Sequence, residues 1–208
     1  MDWPTMESRR GLPATADPGV NGKKMVVNPK IRAGTQKDIA VLAEIIRSSF
    51  RDVADRFGLT QENCPKHPSN CTVDWIQGDM DRGVTYFIFE DDGLSSGCVA
   101  LEPAGSKLCY LERLAVRPPR RRRGFGRALV EYVLAEAKRS GAHRVSIGVI
   151  AEQTELKSWY QKIGFVEAED KEFAHLPFRV TFMSYAVNPN CQPSASTDAL
   201  NRAADFNH

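Results

Sequence analysis

LERLAVRPPRRRRGFGRALV, residues 111–130, passes from strand to turn to helix in one continuous run. Leu111 to Val116 reads as a strand, Pro118 and Pro119 end it, and Gly124 and Gly126 punctuate the entry into an amphipathic helix. The two glycines remove side chains where the backbone turns. The first N–H groups of the helix therefore stand open, carrying the partial positive charge of the helix dipole. This is a ready anion site, suited to a phosphate or pyrophosphate. Arg120, Arg121, Arg122 and Arg123, with Arg127, add guanidinium groups of the kind that hold phosphate oxygens in pairs. The segment lacks the G-x-x-x-x-G-K-[ST] of a P-loop, and the third glycine of a dinucleotide-binding fingerprint is replaced by Leu129.

Working outward, helical and strand periods alternate. Ile31 lies in a short strand, and Thr35 with Asp38 forms a capping-box pattern ahead of Ile39, Leu42, Ala43, Ile46 and Phe50 at helical spacing. A loop rich in Pro and Cys, ENCPKHPSNC, leads to a second helix carrying Val73, Ile76 and Met80. VTYFIFE and SSGCVALE flank Asp92-Gly93, a strong hairpin signal. KLCYLERLAV is the next strand. In the helix that follows, Phe125, Leu129, Tyr132, Val133 and Ala137 form one stripe, and Gly141 stops it. RVSIGVI alternates as a strand, TELKSWYQKI is a short helix closed by Gly164, and FRVTFMSYAV ends the sheet. The predicted order is β-α-α-β-β-β-α-β-α-β-β, an α/β (α+β) arrangement with one mixed sheet flanked by helices.

This block, residues 29–187, is expected to be the whole folded domain. Residues 1–28 hold three prolines and scattered apolar side chains, and residues 188–208 read similarly apart from a helix-like tract near Ala199, so both are expected to be flexible. The 208 residues carry 28 Lys and Arg against 26 Asp and Glu, a net charge of +2, without the basic excess of a dedicated nucleic-acid binder. No apolar run approaches the ~18 residues of a membrane span. The opening residues lack the apolar stretch of a signal peptide, and Asp2, Glu7 and Asp17 argue against a transit peptide. Five irregularly spaced cysteines fit a reduced interior, with the cytoplasm as the expected setting.

Arg121-x-x-Gly124-x-Gly126, preceded by Leu114-Ala115-Val116 and followed by the amphipathic helix, resembles the acetyl-CoA motif R/Q-x-x-G-x-G/A of the GNAT N-acetyltransferases. Trp159-Tyr160-Gln161-Lys162-Ile163-Gly164-Phe165 resembles the second signature of the same superfamily, an aromatic-Tyr pair leading into Gly-Phe. The order of elements matches over roughly residues 30–186. The resemblance implies a mostly antiparallel GNAT sheet with a V-shaped cofactor cleft between the strand at Tyr110–Val116 and the strand at Val145–Val149. It implies that acetyl-CoA is the co-substrate, with its pantetheine arm along the backbone of Leu114, Ala115 and Val116. Its pyrophosphate would lie on the turn formed by Arg121, Arg122, Arg123, Gly124, Phe125, Gly126 and Arg127, where the residues alone had already suggested an anion site.

Acetyl transfer to an amine needs the acceptor deprotonated, because an alkylammonium with pKa near ~10.4 is mostly charged at neutral pH. Tyr160 matches the family's Tyr facing the cofactor sulfur, and a protonated phenol can donate there. The alternative is that Tyr160 packs with Leu156 and Trp159. Glu112 shares a strand face with Tyr110, Leu114 and Val116 by the period of two. The resemblance implies that an acidic residue on this strand deprotonates or anchors the acceptor amine, directly or through water. Glu112 is assigned that role, against the alternative of a surface or structural salt bridge, with Glu90 and Glu102 in reserve. Where the family often has Asn seven residues before the Tyr and a small residue four before it, this chain has Gln153 and Leu156; Gln153 is kept as a cofactor contact.

Cys64, His67 and Cys71 lack a structural zinc spacing and an evident fourth ligand, so no metal is expected and the segment is read as an acceptor-side loop or a rigid connector. The resemblance implies that the loop with Phe173, His175, Pro177 and Phe178 closes over the acceptor, with His175 either a substrate contact or, as a lone His more often is, a surface or packing residue. The expected activity is direct transfer from acetyl-CoA to a primary amine, most simply a small molecule, without a cysteine nucleophile. The alternatives are a noncatalytic acyl-CoA-binding or regulatory module of the same fold, and acetylation of a protein amine. No nucleic-acid or membrane partner is expected, and the resemblance allows a homodimer.

Overall fold

The computed structural model describes residues 30–188. The expectations for residues 1–28 and for the tail from 189 onward, including the tract near Ala199, lie outside the described residues. The elements follow the predicted order: β1 (Lys30–Ala33), α1 (Ile39–Phe57), α2 (Val73–Asp81), β2 (Thr85–Asp91), β3 (Leu94–Pro103), β4 (Leu108–Val116), α3 (Phe125–Arg139), β5 (Arg144–Ile150), α4 (Thr154–Gln161), β6 (Val166–Lys171) and β7 (Val180–Ala186). The seven strands form one sheet in the order β1-β2-β3-β4-β5-β7-β6. Every pairing is antiparallel except β4 with β5, which α3 joins as a crossover.

Local chemistry explains the boundaries. Thr35 donates from both its N–H and its Oγ to the Asp38 carboxylate, and Asp38 also takes two hydrogen bonds from Arg32. The Arg32 guanidinium holds that carboxyl far below its usual range. Gly58, left-handed, stops α1. Asp92 and Gly93 both take positive φ, as a two-residue hairpin with a primed turn requires.

The core lies on both faces of the sheet. On one face, Leu42, Ala43, Ile45 and Ile46 of α1 with Ile76 of α2 cover Tyr86, Ile88, Cys98, Ala100 and Ala115. On the other, Leu129, Val130 and Val133 of α3 cover Phe87, Phe89, Val99, Leu101 and Leu111 and continue to Val145, Ile147 and Val149 of β5. Among the described residues, no helix is long and apolar enough to cross a membrane.

Two features of β4 prepare a site. It pairs with β5 only at Leu108–Tyr110 against Arg144–Ser146, after which the strands part. β5 meanwhile stays paired with β7 along its whole length. The predicted V-shaped opening therefore lies between residues 111–116 and 147–150. The second feature is a bulge: Ala115 faces Cys98 and Glu112 faces Ala100, so two residues, Arg113 and Leu114, oppose the single Val99. Arg113 takes φ +50°.

Candidate active site

The bulge corrects one sequence expectation. A strict period of two puts Glu112, Leu114 and Val116 on one face. Instead, Glu112 stands opposite Ala100 on the α1–α2 face, whereas Leu114 and Val116 pack against the cluster on the α3 face. The extra residue reverses the alternation between Glu112 and Leu114. The strand thus presents a carboxylate to one side of the sheet and apolar residues to the other, beside the opening where β4 leaves β5.

At the mouth of the opening, the turn after β4 carries its donors in the backbone. Arg120 N–H and Arg121 N–H bond back to Arg117 and Pro118, and the next N–H with a backbone acceptor is that of Ala128, on the Gly124 carbonyl. The N–H groups of residues 122–127 between them have no protein acceptor among the described residues. Gly124, at φ +84°, supplies a left-handed step that a side chain would strain. Gly126 is different: a Cβ there would meet Trp159 and Val116 only at ordinary distances of 3.7 and 3.8 Å. The fold itself thus does not demand glycine at 126. Phe125, next to it, is buried against Phe89.

The arginines are placed otherwise than expected. Arg121 reaches across to α1, with Nη1 on Asp52 at 2.5 Å, Nη2 on the Ser49 carbonyl at 2.5 Å, and Nε on the Val116 carbonyl at 3.1 Å. Arg120 and Arg123 both bond Asp91, a buried carboxylate at the end of β2, at 2.9 and 2.8 Å. Arg123 also lies over the Phe125 ring. Arg127 pairs with Glu131 one helical turn on. Among the described residues only Arg122 of this run, itself left-handed at φ +62°, makes no ion pair. The guanidinium groups thus brace the turn against α1 and the hairpin, and the Val116 carbonyl is already used.

Tyr160 comes from α4, whose N-terminal boundary is Gln153. Its ring is buried edge-on to Trp159 at 4.8 Å and Phe165 at 5.2 Å, while Leu156 is exposed. Burial, and then the charge of Glu112, push the phenol well above its usual range. The charge of Glu112 on β4 thus reaches the Tyr160 phenol on α4. Burial first, then the charge of Glu102, push the Glu112 carboxyl up to about 7. Glu102 lies on the same face as Glu112, two residues along β3 from Ala100, which faces it. Glu90, the other alternative, bonds Arg32 on the far side of the sheet order. The Gln153 N–H bonds the Ile150 carbonyl, fixing the corner between β5 and α4.

With this geometry in view, the sequence pattern of the acetyltransferase (GNAT) family matches residues 43–165. The chain belongs to the GNAT acetyltransferase family. It is 30% identical over 95 residues, 45% of its length, to an uncharacterized N-acetyltransferase of Bacillus subtilis strain 168, YvbK, and spans about three fifths (61%) of that relative. Among solved structures its fold is similar to the ribosomal-protein-S18-alanine N-acetyltransferase of Escherichia coli, with TM-score 0.64, 15% identity, and coverage of 79% of this chain and 97% of that one. It is equally similar to the PaiA N-acetyltransferase of Thermoplasma acidophilum in complex with coenzyme A, with TM-score 0.64, 18% identity, and coverage of 76% and 99%. The GNAT match spans the turn, Glu112 and Tyr160 together.

His67 caps a short turn at Pro68–Asn70: its Nδ1 lies 2.8 Å from Ser69 Oγ, and its ring is edge-on to Phe50. Burial pushes it down to about 4. Cys64 and Cys71 are buried thiols, raised by the same cause. Cys71 packs with Leu42, Ala43, Ile45 and Ile46 of α1, and Cys64 with Ala54. The loop before β7 borders an open cavity of 670 Å³ lined by Glu152, Glu172, Phe173, Leu176, Phe178 and Arg179. His175 lies against Phe173, and its Nε2 is buried without a hydrogen-bond partner.

Sequence reasoning missed one residue of this site, Arg113. Arginine carries no preference for positive φ, and the pattern of strand residues runs through it unbroken. Its signal is tertiary.

Proposed function

We propose that the protein transfers an acetyl group from acetyl-CoA directly to a cationic primary amine, a small molecule, without an acyl-enzyme. The observation that carries this reading is the joint placement of the Gly124–Gly126 turn, the parting of β4 from β5, and the Glu112–Tyr160 pair at that opening. The residues fit acetyl-CoA: open N–H groups at 122–127 suit its pyrophosphate, Gly126 leaves room for close approach, and the unpaired edge of β4 suits an extended pantetheine arm. When bound, acetyl-CoA supplies the activated acetyl group.

The chain's own residues manage protons and position. Glu112, with a carboxyl at about 7, is half ionised near neutral pH and accepts a proton from the acceptor ammonium. Glu102 beside it adds negative charge that favours a cationic acceptor on the α1–α2 face. Tyr160, held protonated by burial, donates its hydroxyl hydrogen toward the departing sulfur. The buried thiols Cys98 and Cys109 are raised by burial and are poor nucleophiles at neutral pH, in keeping with direct transfer.

The test is thiol release from acetyl-CoA with a panel of primary amines, comparing the native protein with Tyr160→Phe and Glu112→Gln. Amine-dependent release that falls in both variants while acetyl-CoA affinity holds supports the proposal. Selective acetyl-CoA binding with no amine acetylated would favour a binding module instead.

A further inference from the structure

Arg113 is a left-handed, non-glycine residue inside a central strand, a strained conformation that persists only where its surroundings hold it. They do. The Arg113 guanidinium forms an ion pair with Asp79 of α2 and donates to the Tyr86 hydroxyl of β2. Tyr86 in turn donates to the same carboxylate at 2.5 Å. Arg82 closes the other side of Asp79 at 2.6 Å. Asp79 is only 3% exposed, so its charge is committed to these three donors. The network lies on the α1–α2 face, the face that also carries Glu112.

The position of Arg113 matters because it is the next residue along the chain from Glu112. A guanidinium released from Asp79 would share that face with the Glu112 carboxylate. Tyr86 lies close enough to Glu112 to feel its charge. Among the described residues, the charged and titratable groups that act on Glu112 or feel its charge are Glu102 of β3, Tyr86 of β2 and Tyr160 of α4, and Arg113, held by Asp79, is not among them.

We propose that Asp79 is a positioning residue for the transfer reaction: from α2 it holds the Arg113 guanidinium, which pins the β4 bulge and keeps that charge off Glu112. The inference rests on the reading of Glu112 as the base. Without Asp79, Arg113 turns to Glu112, ties up the carboxylate and weakens it as a proton acceptor.

The experiment compares Asp79→Asn, Arg113→Gly and the double variant with the native protein. Glu112→Gln serves as the control, and pH profiles of kcat/KM are taken with acetyl-CoA and the best amine of the panel. Asp79→Asn is expected to leave KM for acetyl-CoA within about twofold, lower kcat, and move the acid limb of the profile down by about one pH unit, as an opposite charge within contact distance does. In the Arg113→Gly background, glycine takes the left-handed conformation freely and the stray charge is gone. There, adding Asp79→Asn should change neither kcat nor the limb. An Asp79→Asn protein that melts lower but keeps native kcat and limb overturns the proposal and leaves an ordinary buried ion pair. If Asp79→Asn does not fold, Arg113→Gly against the double variant decides. Equal profiles support the proposal, and a further loss of kcat in the double overturns it. If Glu112→Gln keeps the acid limb, the reading of Glu112 fails and this inference with it. If Glu112→Gln loses the limb while Asp79→Asn leaves it in place, this inference alone fails.

Discussion

Replacing Glu112 by Gln removes the proton acceptor while keeping side-chain size. With the carboxyl at about 7, the native kcat/KM should rise with pH and bend near neutrality, where Glu112 becomes fully ionised. General-base assistance is worth about 10²–10⁴-fold, and that is the expected loss at pH 7. The variant must rely on the neutral fraction of the amine, about one part in a thousand at that pH, so its rate should climb about tenfold per pH unit with no bend near 7. The gap between the two proteins therefore narrows in alkali. Stability should respond in the opposite sense. The folded pKa of Glu112 stands above its ordinary 4.5, so its contribution to stability is complete below 4.5 and is lost as pH rises through about 7. Glu112→Gln escapes that loss and should be more stable than the native protein at pH 8, by at most about 3 kcal/mol, with no gain at pH 4. Thiol release between pH 6 and 9.5 and denaturant melts at pH 4 and 8 read both effects. A variant within twofold of native activity at pH 7 that still bends near 7 would refute the assignment.

Other residues give further expectations. Tyr160→Phe keeps the buried ring and its contacts with Trp159 and Phe165. It should lower kcat by about tenfold or more with acetyl-CoA affinity unchanged; equal losses in kcat and in affinity would point to packing instead. Gly97→Ala would put a Cβ 2.8 Å from the Ala115 carbonyl oxygen, so β3 and β4 must move apart beside the bulge. A loss of about 1–3 kcal/mol in chemical denaturation is expected. Arg121→Ala cuts the brace from the turn to Asp52 and the Ser49 carbonyl. Because the pair is partly exposed, stability should fall by less than about 1 kcal/mol. Acetyl-CoA binding should weaken more clearly as the turn loosens, and titration calorimetry separates the two.

The order of all eleven elements was legible because it rests on local signals: helical stripes such as Leu129–Val133–Ala137, alternation in Arg144–Ile150, and Asp92-Gly93 between two apolar runs. The anion-binding turn was legible for the same reason, since Gly124 and Gly126 act on the backbone where they stand. What escaped the sequence depends on partners far along the chain. Arg121 meets Asp52, 69 residues away, and Arg113 bonds Tyr86, 27 residues away. A run of arginines beside an anion site reads as a set of ligand donors until acidic residues from α1 and β2 are seen to hold it. The grouping of Glu112 with Leu114 and Val116 fails because a bulge shifts every later side chain by one, and nothing in Glu112-Arg113-Leu114 marks it.

The central claim is that the turn entering α3 binds the phosphates of acetyl-CoA, and Gly126→Asp tests it most directly. A Cβ at 126 meets nothing closer than 3.7 Å, and an acidic side chain in the first turn of a helix contributes about 0.3–1 kcal/mol of stability. The same charge placed among the open N–H groups of residues 122–127 repels a pyrophosphate. Equilibrium titration with acetyl-CoA should show selective binding by the native protein. For Gly126→Asp it should show affinity at least tenfold weaker, in a protein that melts no lower than native. Undiminished binding by Gly126→Asp, or no binding by the native protein, would contradict the account.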